Sequence, residues 1–294
     1  MKKRSLIAVR NRWGLLFILP ALTFFAGFGL FPFAYTFIVS LCKYDLVSMK
    51  FVGLENYLSL LEDAQFFNAM KITLFYVAGV TVPIWFLALG LALLLNAKIR
   101  FLGLYRTAYF IPVVMSLVGV SVIWTQLFHP YGLTNQVLEW FTGHALAVDW
   151  TTDELLALPG LIVVNLWKMI GYYGILYLAG LQSIPLKYYE AASIDGACGW
   201  RRFRHITWPL LTPTTVFIMI ISVINAFSAF VTIYMMTGGG PAEATRVLAL
   251  FIYELAFQYS KMGTAAAVSF YAFVIILVLT FIQLRMSRSY EKIY

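Results

Sequence analysis

Three polar side chains recur at helical spacing in an otherwise apolar segment near the middle of the chain. They are Asn165, Lys168 and Tyr172, at i, i+3 and i+7, so a helix carries them on one face. Lys168 lies nine residues after Pro159, about 14 Å along a helix that rises 1.5 Å per residue. That depth is near the middle of a bilayer, where an ionisable side chain costs roughly 2.5–3.5 kcal/mol and therefore faces protein or water.

A second polar stripe follows in the next apolar segment. Its members step by 3, 3 and 4 residues along one helical face and are Ser222, Asn225, Ser228 and Thr232. Such a stripe either lines the path of a hydrophilic solute or hydrogen-bonds to neighbouring helices, for about 0.6–2 kcal/mol per bond. The spacing leaves both interpretations open for both stripes.

Other reactive side chains do not assemble into a catalytic or metal-binding pattern. His129, His144 and His205 have no metal-ligand partner at i+3 or i+4. The sequence contains no G-x-x-x-x-G-K-[ST] phosphate loop, no G-x-S-x-G and no H-E-x-x-H. The segment 237–241 is rich in glycine but lacks the lysine, so it predicts a flexible turn. We therefore expect no catalytic or metal-binding residues, and a chain that is not an enzyme and does not itself hydrolyse nucleotide.

The elements that carry the stripes are membrane-spanning helices. The chain is 62% hydrophobic and 12% charged, with a mean hydropathy of +0.83. Because a bilayer core needs about 20 apolar residues in a helix, six stretches qualify as spans. They cover residues 14–41, 72–95, 107–128, 159–181, 214–236 and 264–284. The first is much longer than the roughly 7–15 apolar residues of a signal peptide, so it predicts an uncleaved span of an all-α, polytopic protein.

The orientation of the spans follows from the positions of Lys and Arg. Fifteen of these residues lie in the two termini and in the connections after the second and fourth spans. The alternate connections hold only four, namely Lys43, Lys50, Arg246 and Lys261. Cytoplasmic connections carry the excess of basic residues, so both termini are expected in the cytoplasm. The net charge of +8 is then a topology signal, and no nucleic-acid partner is expected.

A polar elbow, residues 188–213, connects the fourth and fifth spans on the predicted cytoplasmic side. Pro185 suits a first helical position, and residues 186–194 are good helix formers. Gly196 permits a chain reversal, and residues 199–206 form a second short helix that two prolines are expected to end. The elbow thus predicts a helix–turn–helix at the membrane surface. Its basic residues can also bind anionic lipid headgroups; they are Arg201, Arg202 and Arg204.

The elbow sequence EAASIDGACGWRRFRHITWPLLTP resembles the EAA loop of binding-protein-dependent ABC importers, whose form is E-A-A, three residues, G, nine residues, I-x-L-P. The matching residues are Glu190, Ala191, Ala192, Gly196, Ile206 and Pro209. Trp208 departs from the usual Leu, one apolar residue for another. Further stretches are similar to the carbohydrate-uptake branch of the family; they are FVGLENY, RTAYFIPVVMS, LAGLQSIP, TGGGPAEAT and MGTAAAVS.

The resemblance implies a permease with the type I importer fold in the inner membrane of a bacterial or archaeal cell. Its implied partners are a second, similar permease, two cytoplasmic ATPase subunits and an extracytoplasmic solute-binding protein, with membrane lipid around it. ATP and Mg would be bound by the ATPase subunits, and this chain would bind no cofactor. The residues implied to dock in a cleft of the ATPase are Tyr188, Glu190, Ala191, Ala192, Asp195 and Gly196.

The resemblance also implies the solute, a carbohydrate such as an oligosaccharide or disaccharide. Lys168 keeps open an anionic solute such as glycerol phosphate, because a cation near the midplane would favour it. A secondary transporter would need coupling acids inside the membrane, whereas all thirteen Asp and Glu residues lie in loops or at span ends. We predict three parts: a tail, first span and outer loop (1–69), a transmembrane domain (70–284) with its EAA loop at 186–209, and a cytoplasmic tail (285–294).

Overall fold

The computed structural model describes residues 14, 16–97, 100–144 and 147–291, which are predominantly helical. The helices are α1 (Leu16–Ser40), α2 (Glu55–Leu60), α3 (Ala64–Asn96), α4 (Leu102–Val114), α5 (Leu117–Phe128), α6 (Leu133–Thr142), α7 (Ala157–Gln182), α8 (Leu186–Ile194), α9 (Gly199–Arg202), α10 (Trp208–Phe227), α11 (Val231–Met236), α12 (Leu248–Tyr253) and α13 (Met262–Glu291). Strands β1 (Cys42–Tyr44) and β2 (Met49–Phe51) form an antiparallel hairpin. The predicted tail before residue 14 and residues 292–294 lie outside the described residues.

The described residues contain six candidate membrane crossings when one bent pair of helices counts as a single crossing. Five segments are long and apolar enough to span: α1, α3, α7, Gly199–Met236 and Met262–Arg285. The sixth consists of α4 and α5, which meet at a bend of 98°. The all-α, polytopic architecture is therefore confirmed, but the expected continuous third span is wrong. The chain is extended at Met115 and Ser116, and Pro112 lies one turn earlier.

The second span begins earlier than its apolar run. Helix α3 starts at Ala64, where the Asp63 carboxylate accepts a hydrogen bond of 2.8 Å from the backbone N–H of Gln65. Gln65 and Lys71 are exposed in the first two turns. A hydropathy criterion misses these turns because Gln65, Asn68 and Lys71 interrupt the apolar run, although the N-terminal cap makes them helical.

The described residues divide into two compact units, which interleave along the sequence. The first contains the chain up to Glu62 together with Ile252–Phe270. Within this unit Asn56 is buried, and its side-chain amide donates to the carbonyl oxygens of Ser40 (2.8 Å) and Cys42 (2.9 Å). The predicted outer loop after the first span is thus a folded segment with a hairpin and a short helix. The division of the chain at residue 69 stays a prediction.

The second unit contains Asp63–Phe251 and the described residues from Tyr271 onward. Helices α3, α7 and α10 form its hydrophobic core, in which Ile84, Tyr177 and Ile218 are fully or almost fully buried. Close packing is possible because Gly174 of α7 faces Leu91 of α3, at a point where an added methyl group would lie 2.8 Å from the leucine side chain. Helix α7 carries the first predicted polar stripe, and α10 carries Ser222 and Asn225 of the second.

The fifth span departs from the sequence prediction at both ends. Pro209 and Pro213 do not end the second helix of the elbow, since α9 continues through a π-helical turn, Phe203–Thr207, into α10. A wider turn removes the clash between a proline ring and the carbonyl four residues earlier. At the other end α10 stops at Phe227, so Thr232 lies on α11 and does not continue one helical face.

The glycine-rich segment after α11 is a hydrogen-bonded turn, whereas the sequence predicted a flexible one. The Thr245 side chain is fully buried, donates to the Gly240 carbonyl oxygen and lies 2.7 Å from the hydroxyl of Thr237. Arg246 is buried, pairs with Glu243 at 2.6 Å and lies over the ring of Phe251. The turn thus connects α11 and α12 in a defined geometry.

Candidate coupling loop and solute path

Helix α8 ends in the left-handed turn that the sequence assigned to Gly196. The backbone N–H of Ala197 donates to Ala192 O at 2.9 Å, and that of Gly196 donates to Ser193 O at 3.2 Å. Gly196 has a φ of +70°, with no atom within 4 Å of a hypothetical Cβ. This geometry is the Schellman type of helix end, in which glycine avoids the steric cost of the left-handed region.

The six predicted docking residues do not all share one surface. Five are exposed on α8 and the turn: Tyr188, Glu190, Ala191, Asp195 and Gly196. Ala192 is buried instead. On the inner side, the hydroxyls of Tyr189 and Thr207 lie 3.0 Å apart, and Arg202 Nε donates to Ala197 O at 2.7 Å. The two helices of the elbow are therefore fastened together, and the exposed side of α8 is available to another protein.

Three large apolar side chains of the connection between α7 and α10 are more than two thirds exposed, and the sequence pattern did not assign them to docking. Leu186, Ile194 and Trp200 have exposed fractions of 73%, 88% and 69%. Trp200 stacks on Phe203 at 5.4 Å between ring centroids. The sequence held a signal for this surface, because large apolar residues in an otherwise polar connection indicate contact with another protein or with lipid. Leu186 and Ile194 extend the candidate docking surface to both ends of α8.

Lys168 is buried in α7 and reaches the break between α4 and α5. Its ammonium group donates to the carbonyl oxygens of Pro112 (2.9 Å), Val113 (3.3 Å) and Met115 (2.6 Å). An ammonium group has three N–H donors, so these carbonyls use its full capacity. The other members of this stripe, Asn165 and Tyr172, do not share those contacts.

Asn165 and Tyr172 are half-buried and have different neighbours. Asn165 lies beside Tyr76 of α3, whose fully buried hydroxyl has no hydrogen-bond partner of good geometry among the described residues. The ring of Tyr172 packs edge-on against that of Tyr173, with centroids 5.1 Å apart. The three side chains of the stripe on α7 therefore contact three different parts of the protein.

The stripe of the fifth span hydrogen-bonds to the other core helices. The Ser222 hydroxyl accepts from Trp85 Nε1 of α3 at 2.8 Å and donates to Met219 O. Asn225 Nδ2 donates to the Tyr173 hydroxyl of α7 at 3.1 Å. These bonds are the interhelical contacts that one of the two interpretations requires.

Part of the same stripe is exposed at the surface of this chain. Asn225 and Ser228 are exposed, and the Ser228 hydroxyl donates only to Ile224 O within the turn at the end of α10. Thr232 is buried on α11. An exposed amide within a membrane-crossing segment faces water or a second protein rather than lipid. The structure thus brings Asn225, Tyr173 and Tyr172 together, and it places Lys168 in a separate contact.

No cluster of three or more His, Cys, Asp or Glu side chains that could hold a metal ion occurs in the part of the chain that the structure describes. The candidate site is therefore a set of surfaces and polar stripes.

Comparisons with known proteins agree over nearly the full chain. The protein-family profile described as "Binding-protein-dependent transport system inner membrane component" matches residues 72–292. The lactose transport system permease protein LacF of Rhizobium radiobacter is 36% identical over 282 residues, which cover 95% of this chain and 94% of the relative. The sn-glycerol-3-phosphate transport system permease protein UgpA of Agrobacterium fabrum is 35% identical over 241 residues, 81% of each chain.

A solved structure has the same fold. One chain of a bacterial alginate ABC transporter, in complex with its alginate pentasaccharide-bound periplasmic protein, superposes with a TM-score of 0.81 at 25% identity. The match covers 96% of each chain.

Proposed function

The chain belongs to the family of binding-protein-dependent transport system inner membrane components, and on that premise we propose that it forms, with a second permease, the translocation path of an ATP-driven carbohydrate importer. It is a multi-pass permease subunit of the inner membrane, in a family of transporter components rather than enzymes. A relative named for lactose and a neighbour that carries alginate support an oligosaccharide or disaccharide as solute.

The partners follow from the surfaces that a single chain leaves uncovered. Asn225 and Ser228 are exposed in a crossing segment, which supports a second permease that completes a polar path. An extracytoplasmic binding protein delivers the solute, as supported by the neighbour whose periplasmic protein is bound. Two cytoplasmic ATPase subunits bind ATP and Mg, and both termini of this chain lie on their side of the membrane.

The exposed side of α8 is the single observation that carries the coupling proposal. Leu186 and Ile194 place apolar surface at the two ends of the helix, and Glu190 places a carboxylate between them. A cleft of the ATPase covers this surface and offers a basic residue to Glu190. When ATP closes the ATPase dimer, the fastened helices of the elbow transmit the movement to α10, with which α9 is continuous.

A permease for glycerol phosphate is the second candidate, favoured by the similarity to a permease named for that solute. The residue that would favour a phosphate is Lys168. Its three donors are directed to backbone carbonyls, so it offers no free N–H to an anion in this conformation. The neutral side chains of Asn225 and Ser228 fit an uncharged polyol better.

The test is uptake by the complex reconstituted with both permeases, the ATPase and the binding protein. Glu190→Ala removes a charge-assisted contact of about 1.5–3 kcal/mol, so we expect roughly ten- to hundredfold weaker coupling. Gly196→Val, which strains the left-handed turn, should also weaken uptake while the protein remains in the membrane. Glu139→Ala, at an exposed acid of α6, is the matched control and should leave uptake unchanged.

Two results would contradict the proposal. Uptake that survives deletion of every candidate ATPase would indicate a secondary transporter. Binding of glycerol phosphate, but of no sugar, in a thermal-shift screen of the associated binding protein would support the second candidate instead.

A further inference from the structure

The break in the third crossing exposes backbone carbonyl groups inside a membrane-crossing segment. Helix α4 ends at Val114, Met115 and Ser116 have extended ψ angles of 142° and 136°, and α5 begins at Leu117. The last carbonyls of a helix have no partner within it, and in hydrocarbon no water replaces one. A bend of 98° at this place therefore needs a donor from elsewhere in the protein.

Lys168 supplies that donor from α7. Its ammonium group bonds to Pro112, Val113 and Met115, the residues at the end of α4 and in the break. The helix C-terminus also carries partial negative charge, which a cation stabilises. The Lys168 side chain thus donates hydrogen bonds to three carbonyl groups and places its positive charge at the negative end of the α4 helix dipole.

Close packing of the backbones makes this contact possible. Gly171 lies one turn after Lys168 on α7, and a Cβ at that position would meet the carbonyl oxygen of Tyr109 on α4. Any larger residue would therefore separate the two helices. Gly171 and Lys168 therefore act together. The glycine allows the backbones of α4 and α7 to approach, and the lysine caps the carbonyl groups at the break.

A straight third crossing is the natural alternative conformation. In a continuous helix the N–H of Ser116 would bond to Pro112 O, and that of Leu117 would bond to Val113 O. The carbonyls would then need no external donor, and the ammonium group would lose its partners. Lys168 therefore favours the bent form over the straight one.

We propose that Lys168 is a positioning residue for transport, which holds the third crossing bent and thereby sets the direction of α5, and that it does not bind the solute. The inference rests on the proposed function for its consequence, but the geometry it predicts is measurable without transport. Helix α5 packs against α11, the segment that carries Thr232 at the end of the fifth crossing. The bend thus determines where this end of the candidate path is held.

The decisive measurement is a spin-label distance across the break in the assembled complex. Labels at Leu104 and Val122, both exposed, are introduced after replacement of Cys42 and Cys198. At 1.5 Å per residue their Cα atoms are about 27 Å apart in a straight helix and about 18 Å apart at the observed bend.

We expect Lys168→Met to shift or broaden this distance toward the longer value by up to about 9 Å. Maximal uptake should fall at least about tenfold, with the KM for solute changed less than twofold. Lys168→Arg keeps the cation and several donors and should restore most of both readouts. Gly171→Ala should reproduce the shift with Lys168 intact, whereas Gly90→Ala, which meets no atom within 4 Å, should have no effect.

Three outcomes would overturn the proposal. An unchanged distance in Lys168→Met together with a large rise in KM would show that Lys168 contacts the solute. An unchanged distance with unchanged uptake would show that the three bonds have no positioning role. If Lys168→Met does not accumulate, Lys168→Gln, which retains two N–H donors, gives the same test, and an unchanged distance there and in Gly171→Ala would also overturn it. If the complex with unmutated Lys168 transports none of the solutes, a shifted distance in Lys168→Met would leave the positioning role intact and count against the proposed function alone.

Discussion

The geometry at Asn225 fits both roles that the sequence presented as alternatives, a bond between helices and a position on a solute path. Its amide nitrogen is bonded to the Tyr173 hydroxyl on α7, while the residue as a whole is exposed at the surface of the chain. An Asn amide has two N–H donors and an acceptor oxygen, so one bond leaves capacity for a ligand. The same side chain can therefore fasten two helices and face a path.

Asn225→Leu and Tyr173→Phe separate these roles. Both remove the interhelical bond, but only the first removes the exposed amide. We expect Tyr173→Phe to cost about 0.6 kcal/mol of stability with little change in uptake. Asn225→Leu should lower kcat/KM for uptake a further five- to tenfold, because a solute hydrogen bond contributes about 1 kcal/mol. Uptake kinetics with matched protein levels checks this, and equal effects of the two variants would show that Asn225 only joins the helices.

At the scale of the element, the turn at Gly196 sets the angle between α8 and the helix that follows it. Its φ of +70° is strained for residues with a Cβ, yet the space around it is empty. Backbone conformation rather than crowding must then decide which replacements are tolerated.

We expect a rank order of replacements at Gly196 that follows left-handed propensity. Gly196→Asn should keep most coupling, because Asn visits the left-handed region more readily than other residues with a side chain. Gly196→Val should cost about 1–2 kcal/mol, a five- to thirtyfold loss of coupling. ATPase activity stimulated by loaded binding protein measures the order. Equal activity of the Val and Asn variants would contradict the strain argument and point to side-chain contacts with the ATPase.

The elements also show how far the sequence alone could reach. Apolar length and the EAA spacing predicted six crossings, the helix at 186–194 and the turn at Gly196, because these depend on local composition. The break at Met115 was not predicted, since an apolar run has the same hydropathy whether straight or bent. The partners of Lys168 lie 53 to 56 residues away in the chain, and only tertiary packing brings them within reach. The π-helical turn before Pro209 was missed for a similar reason, because proline usually ends a helix.

At the scale of the whole molecule, the first span belongs to a unit that is discontinuous in sequence. Phe270 packs against Phe33 and Phe37 of α1, with ring centroids 5.3 Å and 5.2 Å apart. Gly263 lies so close to Cys42 that an added Cβ would meet the Cys42 carbonyl oxygen. These contacts indicate that the described residues up to Glu62 fold together with Ile252–Phe270.

A chain that begins at residue 63 should therefore accumulate poorly in the membrane. It lacks the aromatic and backbone partners of Phe270 and Gly263. A loss of about 1.4 kcal/mol lowers the ratio of folded to unfolded protein about tenfold, and proteases remove the unfolded form. Supply of residues 1–62 as a separate fragment should restore the level, because the contacts are noncovalent. Gly263→Ala in the full chain should give a milder loss by separating the same surfaces, with Gly90→Ala as the neutral control. Normal accumulation of the shortened chain without the fragment would show instead that the first span is an addition to a self-sufficient core of five.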